Sequence, residues 1–204
     1  MLIKFVEVFT INLVIEGCDC VGKTTLINSI VKNSDRSFKV FHFQKPPESM
    51  ATFQVMEFQK HMFFVHSNYL IHDTDIIFDR YHIGELIYGK LYREYDVDYI
   101  AELEKLIKEH CILICMSCNR EQIEKRFDNK GMPRYDLEKV NNLFIKYCKE
   151  SKLRKIFIDT SNNTPQQTLE ELKLKLQEFN CADNICLHPT VIIKKEPSWK
   201  TFRK

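Results

Sequence analysis

Residues Gly17-Cys18-Asp19-Cys20-Val21-Gly22-Lys23-Thr24 spell G-x-x-x-x-G-K-[ST], the pattern of a loop that cradles phosphate. The glycines let the backbone wrap an anion without a Cβ in the way. The amides of Gly17, Cys18, Cys20, Val21, Gly22, Lys23, Thr24 and Thr25 then point partial positive charge at nucleotide phosphates, helped by the helix that must follow. Lys23 reaches the β- and γ-phosphates, and Thr24 offers a hydroxyl to Mg²⁺. Asp19 can accept a hydrogen bond from a sugar hydroxyl. The motif is specific because its flanks agree with it. The apolar run Ile11 to Ile15 precedes it as a strand, and Thr25 to Val31 continues it as a helix.

Phosphoryl transfer needs more than a cradle: it needs a metal, cations around the moving group and a pocket for the acceptor. Asp79-Arg80 follows the short apolar run Ile76-Ile77-Phe78. An arginine there can clamp an acceptor phosphate through paired donors, and the carboxylate beside it can orient that arginine or serve the water shell of Mg²⁺. Arg120, Lys125, Arg126, Lys130 and Arg134 surround Gly131 and Pro133. That stretch reads as a basic lid over residues 120–136 that carries cations to the phosphates and keeps water out. Base recognition needs an aromatic face. Phe63, Phe64 and Tyr69 lie in one helical segment, and Phe64 is the candidate platform.

These residues require a frame that alternates strand and helix. Strands are expected at residues 11–15, 38–43, 76–78, 111–116 and 155–159. Helices are expected at about 25–31, 52–71, 99–109, 120–127, from Asp136 to about 151, and from Thr164-Pro165 to about 180. The fold class is therefore α/β, a parallel five-stranded sheet with helices on both faces. Ligands in such sheets bind at the carboxyl ends of the strands. The segments 17–24, 44–48, 79–81 and 118–120 all fall there. The expected division is a kinase domain over residues 1–180 and a basic extension over 181–204, with Val191 to Lys195 as a strand.

The chain has 204 residues, enough for one such domain, and its 30 basic against 28 acidic residues argue against a nucleic-acid binder or a membrane-surface protein. No run of eighteen apolar residues offers a membrane span. Residues Met1 to Phe5 lack the pattern of a secretory leader, so an intracellular, cytoplasmic setting is expected (the host's, for a viral protein). Its eight cysteines are expected as reduced, mostly buried small hydrophobes. A zinc site joining Cys115, Cys118, Cys181 and Cys186 is the less favoured reading, since alternate strand residues face opposite ways.

The motifs Glu16-Gly17-x-Asp19-x-x-Gly22-Lys23-Thr24, Lys45-Pro46-Pro47-Glu48, Asp79-Arg80-Tyr81 and Pro133-Arg134-Tyr135-Asp136 together resemble the thymidylate kinases, within the wider group of P-loop nucleotide and deoxynucleoside kinases. The resemblance spans about residues 11 to 160. It implies a P-loop kinase fold with a lid, acting on ATP with Mg²⁺ and a deoxynucleoside monophosphate, dTMP first, as a symmetric dimer. It implies that Asp19 contacts the deoxyribose 3′-hydroxyl, Lys45 stands near the reacting phosphates, Phe64 stacks on the base and Arg80 holds the acceptor phosphate. Asp79 would help place Mg²⁺, Tyr88 would wall the sugar against a 2′-hydroxyl, Arg120 would stack near the donor adenine, and Arg134 and Tyr135 would belong to the lid. The chain departs from the family at Asn68, where a base-reading arginine is usual, and at Cys20, where one branch has an arginine. Asn68 then reads the base edge, and the catalytic cation falls to Arg126 or Lys130 in the lid. The segment Ile83 to Tyr92 resembles divergent viral and phage versions. Two other functions fit the motifs. A deoxynucleoside kinase would use a carboxylate base, with Glu48 available. A P-loop module would bind nucleotide without turnover, although no N-K-x-D guanine motif is present.

Overall fold

The computed structural model describes residues 7–46, 49–72, 74–129, 133–182 and 189–191. In chain order the elements are β1 (Glu7–Phe9), β2 (Asn12–Glu16), α1 (Lys23–Lys32), β3 (Phe38–His42), α2 (Thr52–Ser67), β4 (Asp75–Asp79), α3 (His82–Tyr92) and α4 (Ile100–Ile107). Then come β5 (Ile112–Ser117), α5 (Arg120–Arg126), α6 (Leu137–Glu150), β6 (Arg154–Asp159), α7 (Pro165–Ala182) and β7 (Pro189–Val191). Five strands form one parallel sheet in the order β3-β4-β2-β5-β6, the expected α/β class. β1 and β7 pair antiparallel as a separate ribbon. No helix of the described residues is long and apolar enough to cross a membrane.

Burial explains the strand sequences. Val14 and Ile15 point to opposite faces of β2, yet neither is exposed, and Leu113 and Ile114 repeat this on β5. A sheet buried on both faces needs unbroken apolar strands, and these are Asn-Leu-Val-Ile and Ile-Leu-Ile-Cys-Met. α1 packs with α7, while α2, α3, α4 and α6 pack among themselves. β2 lies centrally, so its carboxyl end opens between β4 and β5. That is the switch point at which such sheets take ligands.

The helix α3 is absent from the sequence expectations, and its causes are tertiary. Glu16, at the end of β2, is fully buried. Its Oε1 accepts the amides of Tyr81 at 2.8 Å, Ile83 at 2.9 Å and Gly84 at 3.3 Å, which fixes the first turn of α3. At Gly89, a Cβ would stand 2.8 Å from the Tyr95 ring, so the glycine admits the chain that returns over the helix. The expected helix over 52–71 ends at Ser67, with Asn68–Ile71 a 3₁₀ turn. Asp136 precedes α6 as expected, but its carboxylate accepts the Tyr92 hydroxyl at 2.8 Å and makes no cap. Of the extension, residues 183–188 and 192–204 lie outside the described residues, and so do Cys186 and most of the expected 191–195 strand. Cys115 and Cys118 are buried free thiols on and just after β5.

Candidate active site

The loop after β2 is shaped by steric necessity. A Cβ on Gly17 would lie 2.5 Å from the Met116 carbonyl oxygen, and Gly22 has φ +92°, a left-handed conformation. Cys20 adopts φ +67° without being glycine, a strained conformation of the kind that clusters at ligand sites. Cys18 and Val21 are wholly buried, and burial pushes the Cys18 thiol up to about 12. Both residues can therefore serve a phosphate only through their amides. Lys23 is 5% exposed, and its ammonium donates to the carbonyls of Gly17 at 2.8 Å and Cys18 at 2.6 Å. Burial first, and the nearby Arg80 second, lower its pKa. Thr24 and Thr25 are exposed to a cavity of about 520 Å³ that also meets Lys23, Asp79, Arg80 and Arg126.

β4 runs beside β2, with Asp79 opposite Ile15 in the register. Asp79 Oδ2 accepts from His42 Nδ1 at 2.7 Å, while Oδ1 is buried without a partner. Buried carboxylate oxygens are seldom left so. Asp79 and Thr24 line the same cavity and carry hard oxygen donors, which suits Mg²⁺. Those two residues would hold the ion, which supplies positive charge to the phosphates. Arg80 also adopts a left-handed backbone, φ +63°, with its amide on the Ile15 carbonyl at 3.0 Å. This turns its guanidinium back over the loop, where Nη2 meets Asp19 Oδ1 at 2.5 Å. Arg80 Nε is buried without a partner. Asp19 thus holds the arginine over the loop.

A second cavity, of about 360 Å³, opens on the other side of the Asp19–Arg80 pair, between α2 and α3. Lys45, Gln59, Phe63, Glu85 and Tyr88 line it. The Tyr88 hydroxyl is buried and unpartnered, and burial pushes its pKa far up. The structure places Phe64 and Asn68 away from these walls. The turn of α2 directs Phe63 inward, while Phe64 packs toward Tyr99 at 6.3 Å between centroids and Asn68 is exposed on the 3₁₀ turn. Gln59, one turn before Phe63, is 4% exposed and lines the cavity, and its side-chain amide makes no hydrogen bond among the described residues. Glu85 is held by Arg93 Nη1 at 2.5 Å and by the Tyr95 hydroxyl. The sequence reading missed Gln59, Phe63, Glu85 and Arg93. The i, i+4 spacing of Gln59 and Phe63 was a usable signal, while the Glu85–Arg93 pair depended on the unforeseen α3. Tyr81 belongs to the support: its hydroxyl donates to the Phe63 carbonyl at 2.6 Å and ties α2 to the end of β4.

The expected lid divides. Arg126 faces the phosphate cavity, and its guanidinium donates to Thr160 Oγ1 at 2.9 Å and the Thr160 carbonyl at 2.8 Å. Thr160 Oγ1 in turn donates to the Val21 carbonyl at 2.9 Å, so the arginine is braced against the loop. Lys130, Gly131 and Met132 lie outside the described residues, as do Pro47 and Glu48. Arg120 and Arg134 lie on the surface, with Arg120 pairing to Glu124 at 2.8 Å and to Glu138 at 3.3 Å. Tyr135 is 84% exposed. These three line a groove of about 450 Å³ between α5 and α6, apart from both cavities.

No protein-family model matches the chain, and no curated protein matches its sequence. Solved structures do resemble it. The Bacillus subtilis YorR protein, solved in complex with phosphorylated GDP, superposes with a TM-score of 0.63 at 16% identity, covering 83% of this chain and 98% of that one. Deoxyadenosine kinase from M. mycoides, solved with its products dCMP and a flexible dCDP, gives 0.56 at 18% identity over 83% and 100%. Shikimate kinase from Aquifex aeolicus gives 0.52 at 14% identity over 84% and 99%. At such identities the likeness is one of fold, and the fold of this chain is that of the P-loop kinases.

Proposed function

We propose that the protein transfers the γ-phosphoryl group of Mg²⁺-bound ATP to a deoxynucleoside monophosphate, with dTMP as the first acceptor and dTDP as product. The observation that carries this reading is the shared wall. The loop cavity and the α2–α3 cavity meet at Asp19 and Arg80, so two phosphates lodged on either side would face each other across one guanidinium. In the reaction an acceptor phosphate oxygen attacks the γ-phosphorus, and the bond to the β-phosphate oxygen breaks, releasing ADP. That attack needs cations and alignment more than a base. Arg80 and Lys45 supply cations on the acceptor side, and Lys23 and Arg126 supply them on the donor side. The described carboxylates of the acceptor wall, Asp19 and Glu85, are engaged by Arg80 and Arg93, which supports a monophosphate over a nucleoside hydroxyl. Tyr88 would press on the sugar, Phe63 would offer the base an aromatic face and Gln59 would hydrogen-bond its edge.

The Glu85–Arg93 pair favours one second reading, because it presents an acceptor and donors together and so fits a base with an exocyclic amine. Both readings are tested by ADP release from ATP and Mg²⁺ with dTMP, dUMP, dCMP, dAMP, dGMP and thymidine. Turnover with dTMP and none with thymidine is expected. Turnover with thymidine alone would overturn the phosphate-acceptor reading, and turnover with dCMP, dAMP or dGMP alone would replace thymine with an amino base. We further propose a cytoplasmic setting, to which the free thiols are suited, and a homodimer. Phe53, Phe58 and Val65 stand exposed on α2 and support the dimer, which light scattering would detect.

A further inference from the structure

The end of β3 carries a residue that neither the motifs nor the proposed reaction absorb. β3 is an edge strand, and it pairs with β4 in a parallel register that sets His42 opposite Asp79. Both side chains therefore stand on one face of the sheet. The backbone reinforces the pairing, since the Phe43 amide donates to the Asp79 carbonyl at 3.1 Å. His42 Nδ1 lies 2.7 Å from Asp79 Oδ2. A carboxylate only accepts, so Nδ1 carries the proton and Nε2 is left toward the half-exposed side.

The Asp79 carboxylate has only a broad torsional preference of its own. Two cations stand near enough to compete for it, Lys23 and Arg80, and each is electrostatically coupled to it. Both are otherwise engaged: Lys23 on the carbonyls of Gly17 and Cys18, Arg80 on Asp19. Among the described residues the Asp79 carboxylate is hydrogen-bonded by His42 alone; its other oxygen is buried without a partner, and Asp79 lines the same cavity as Thr24. We infer that His42 is a positioning residue: it holds one oxygen of Asp79 so that the other is presented to a divalent cation on the nucleotide phosphates, and it keeps that carboxylate off Lys23 and Arg80. Outer hydrogen bonds of this kind commonly decide how well a ligating carboxylate performs. The inference rests on reading the Lys23–Thr24–Asp79 cavity as a Mg²⁺-nucleotide site.

The test titrates Mn²⁺ into the full-length protein saturated with ADP and follows the free ion by electron paramagnetic resonance. Wild type, His42→Ala and His42→Asn are compared, because the asparagine amide nitrogen can stand where Nδ1 does. Truncating a side chain that is 46% exposed opens no cavity, and a melting curve for each variant checks the fold. His42→Ala is expected to weaken Mn²⁺ binding about 10–100-fold, with ADP affinity in the absence of metal unchanged and the asparagine variant recovering most of the loss. The Mg²⁺ concentration for half-maximal rate should move in parallel, while the acceptor KM stays. Wild-type Mn²⁺ binding by a folded His42→Ala protein would overturn the inference, and so would an asparagine variant as weak as the alanine one. If the wild-type protein with ADP bound no Mn²⁺, the reading of the cavity would fall together with the inference.

Discussion

Gln59→Leu separates a residue kept for a ligand from one kept for the fold. Gln59 is 4% exposed in the middle of α2, yet its amide has no hydrogen-bond partner among the described residues and faces the acceptor cavity. Burying an amide without a partner costs free energy, whereas leucine fills almost the same volume without polar atoms. The Gln59 amide is not among the wholly buried unpartnered groups, so water in the cavity recovers most of that cost, and the leucine variant should be at least as stable as wild type, by up to about 1 kcal/mol. For a chain of this length that is up to roughly 2–4 °C in melting temperature. The acceptor should respond in the opposite sense. Losing a hydrogen bond to a desolvated base edge costs about 1–3 kcal/mol, or roughly 5–150-fold in kcat/KM for the acceptor, with the KM for ATP unchanged. Differential scanning fluorimetry and steady-state kinetics on the same preparation read both arms. A leucine variant that melts lower and turns over normally would refute the reasoning, because it would make Gln59 part of the scaffold and leave the cavity without its base reader.

Lys23→Ala should leave the circular dichroism spectrum intact and lower turnover by at least about 10²–10³-fold, since it removes the buried ammonium of the phosphate loop; near-wild-type turnover would take the loop out of the mechanism. Gly17→Ala should abolish nucleotide binding and destabilise the chain by about 1–3 kcal/mol or more, because the new Cβ would stand 2.5 Å from the Met116 carbonyl oxygen; isothermal titration with ADP and a urea melt check both effects. Glu104 links stability to pH. Burial alone would raise its pKa, but His82 Nε2, the Ser151 hydroxyl and the Lys152 amide outweigh burial and hold it at about 2. A carboxyl held low in the folded state stabilises above its ordinary pKa and loses that contribution as pH falls toward 2. Wild type should therefore lose about 3 kcal/mol more than Glu104→Gln between pH 6 and pH 2, measured by urea unfolding, and parallel curves would show that the network contributes nothing.

What the sequence disclosed and what it withheld divide along a physical line. Strands such as Leu13-Val14-Ile15 and Ile112-Leu113-Ile114 are legible because a doubly covered parallel sheet demands unbroken apolar runs. The phosphate loop is legible because its glycines answer steric demands local to the loop. The acceptor pocket is not local. Phe63 and Phe64 are adjacent aromatics on one helix, and only the packing of α2 against the end of β4 decides which faces the cavity. α3 was hidden for a related reason: Gly84 and Gly89 depress its helical propensity, and what stabilises it, the Glu16 carboxylate and the returning Tyr95, comes from elsewhere in the chain.

Glu16 joins the elements that line the two cavities. It is the last residue of the strand that feeds the phosphate loop, and it is also what the first amides of the acceptor helix bond to. Its Oε2 is buried and bare, and burial raises its pKa, so the chain tolerates a costly group at this point. The same junction holds Arg80, whose amide bonds to the carbonyl of Ile15 and whose guanidinium reaches Asp19. The phosphate loop and the wall of the second cavity are thus anchored to the same few residues of β2. A reaction that depends on in-line placement of two phosphates gains most from that shared anchoring, since alignment rather than covalent chemistry lowers its barrier.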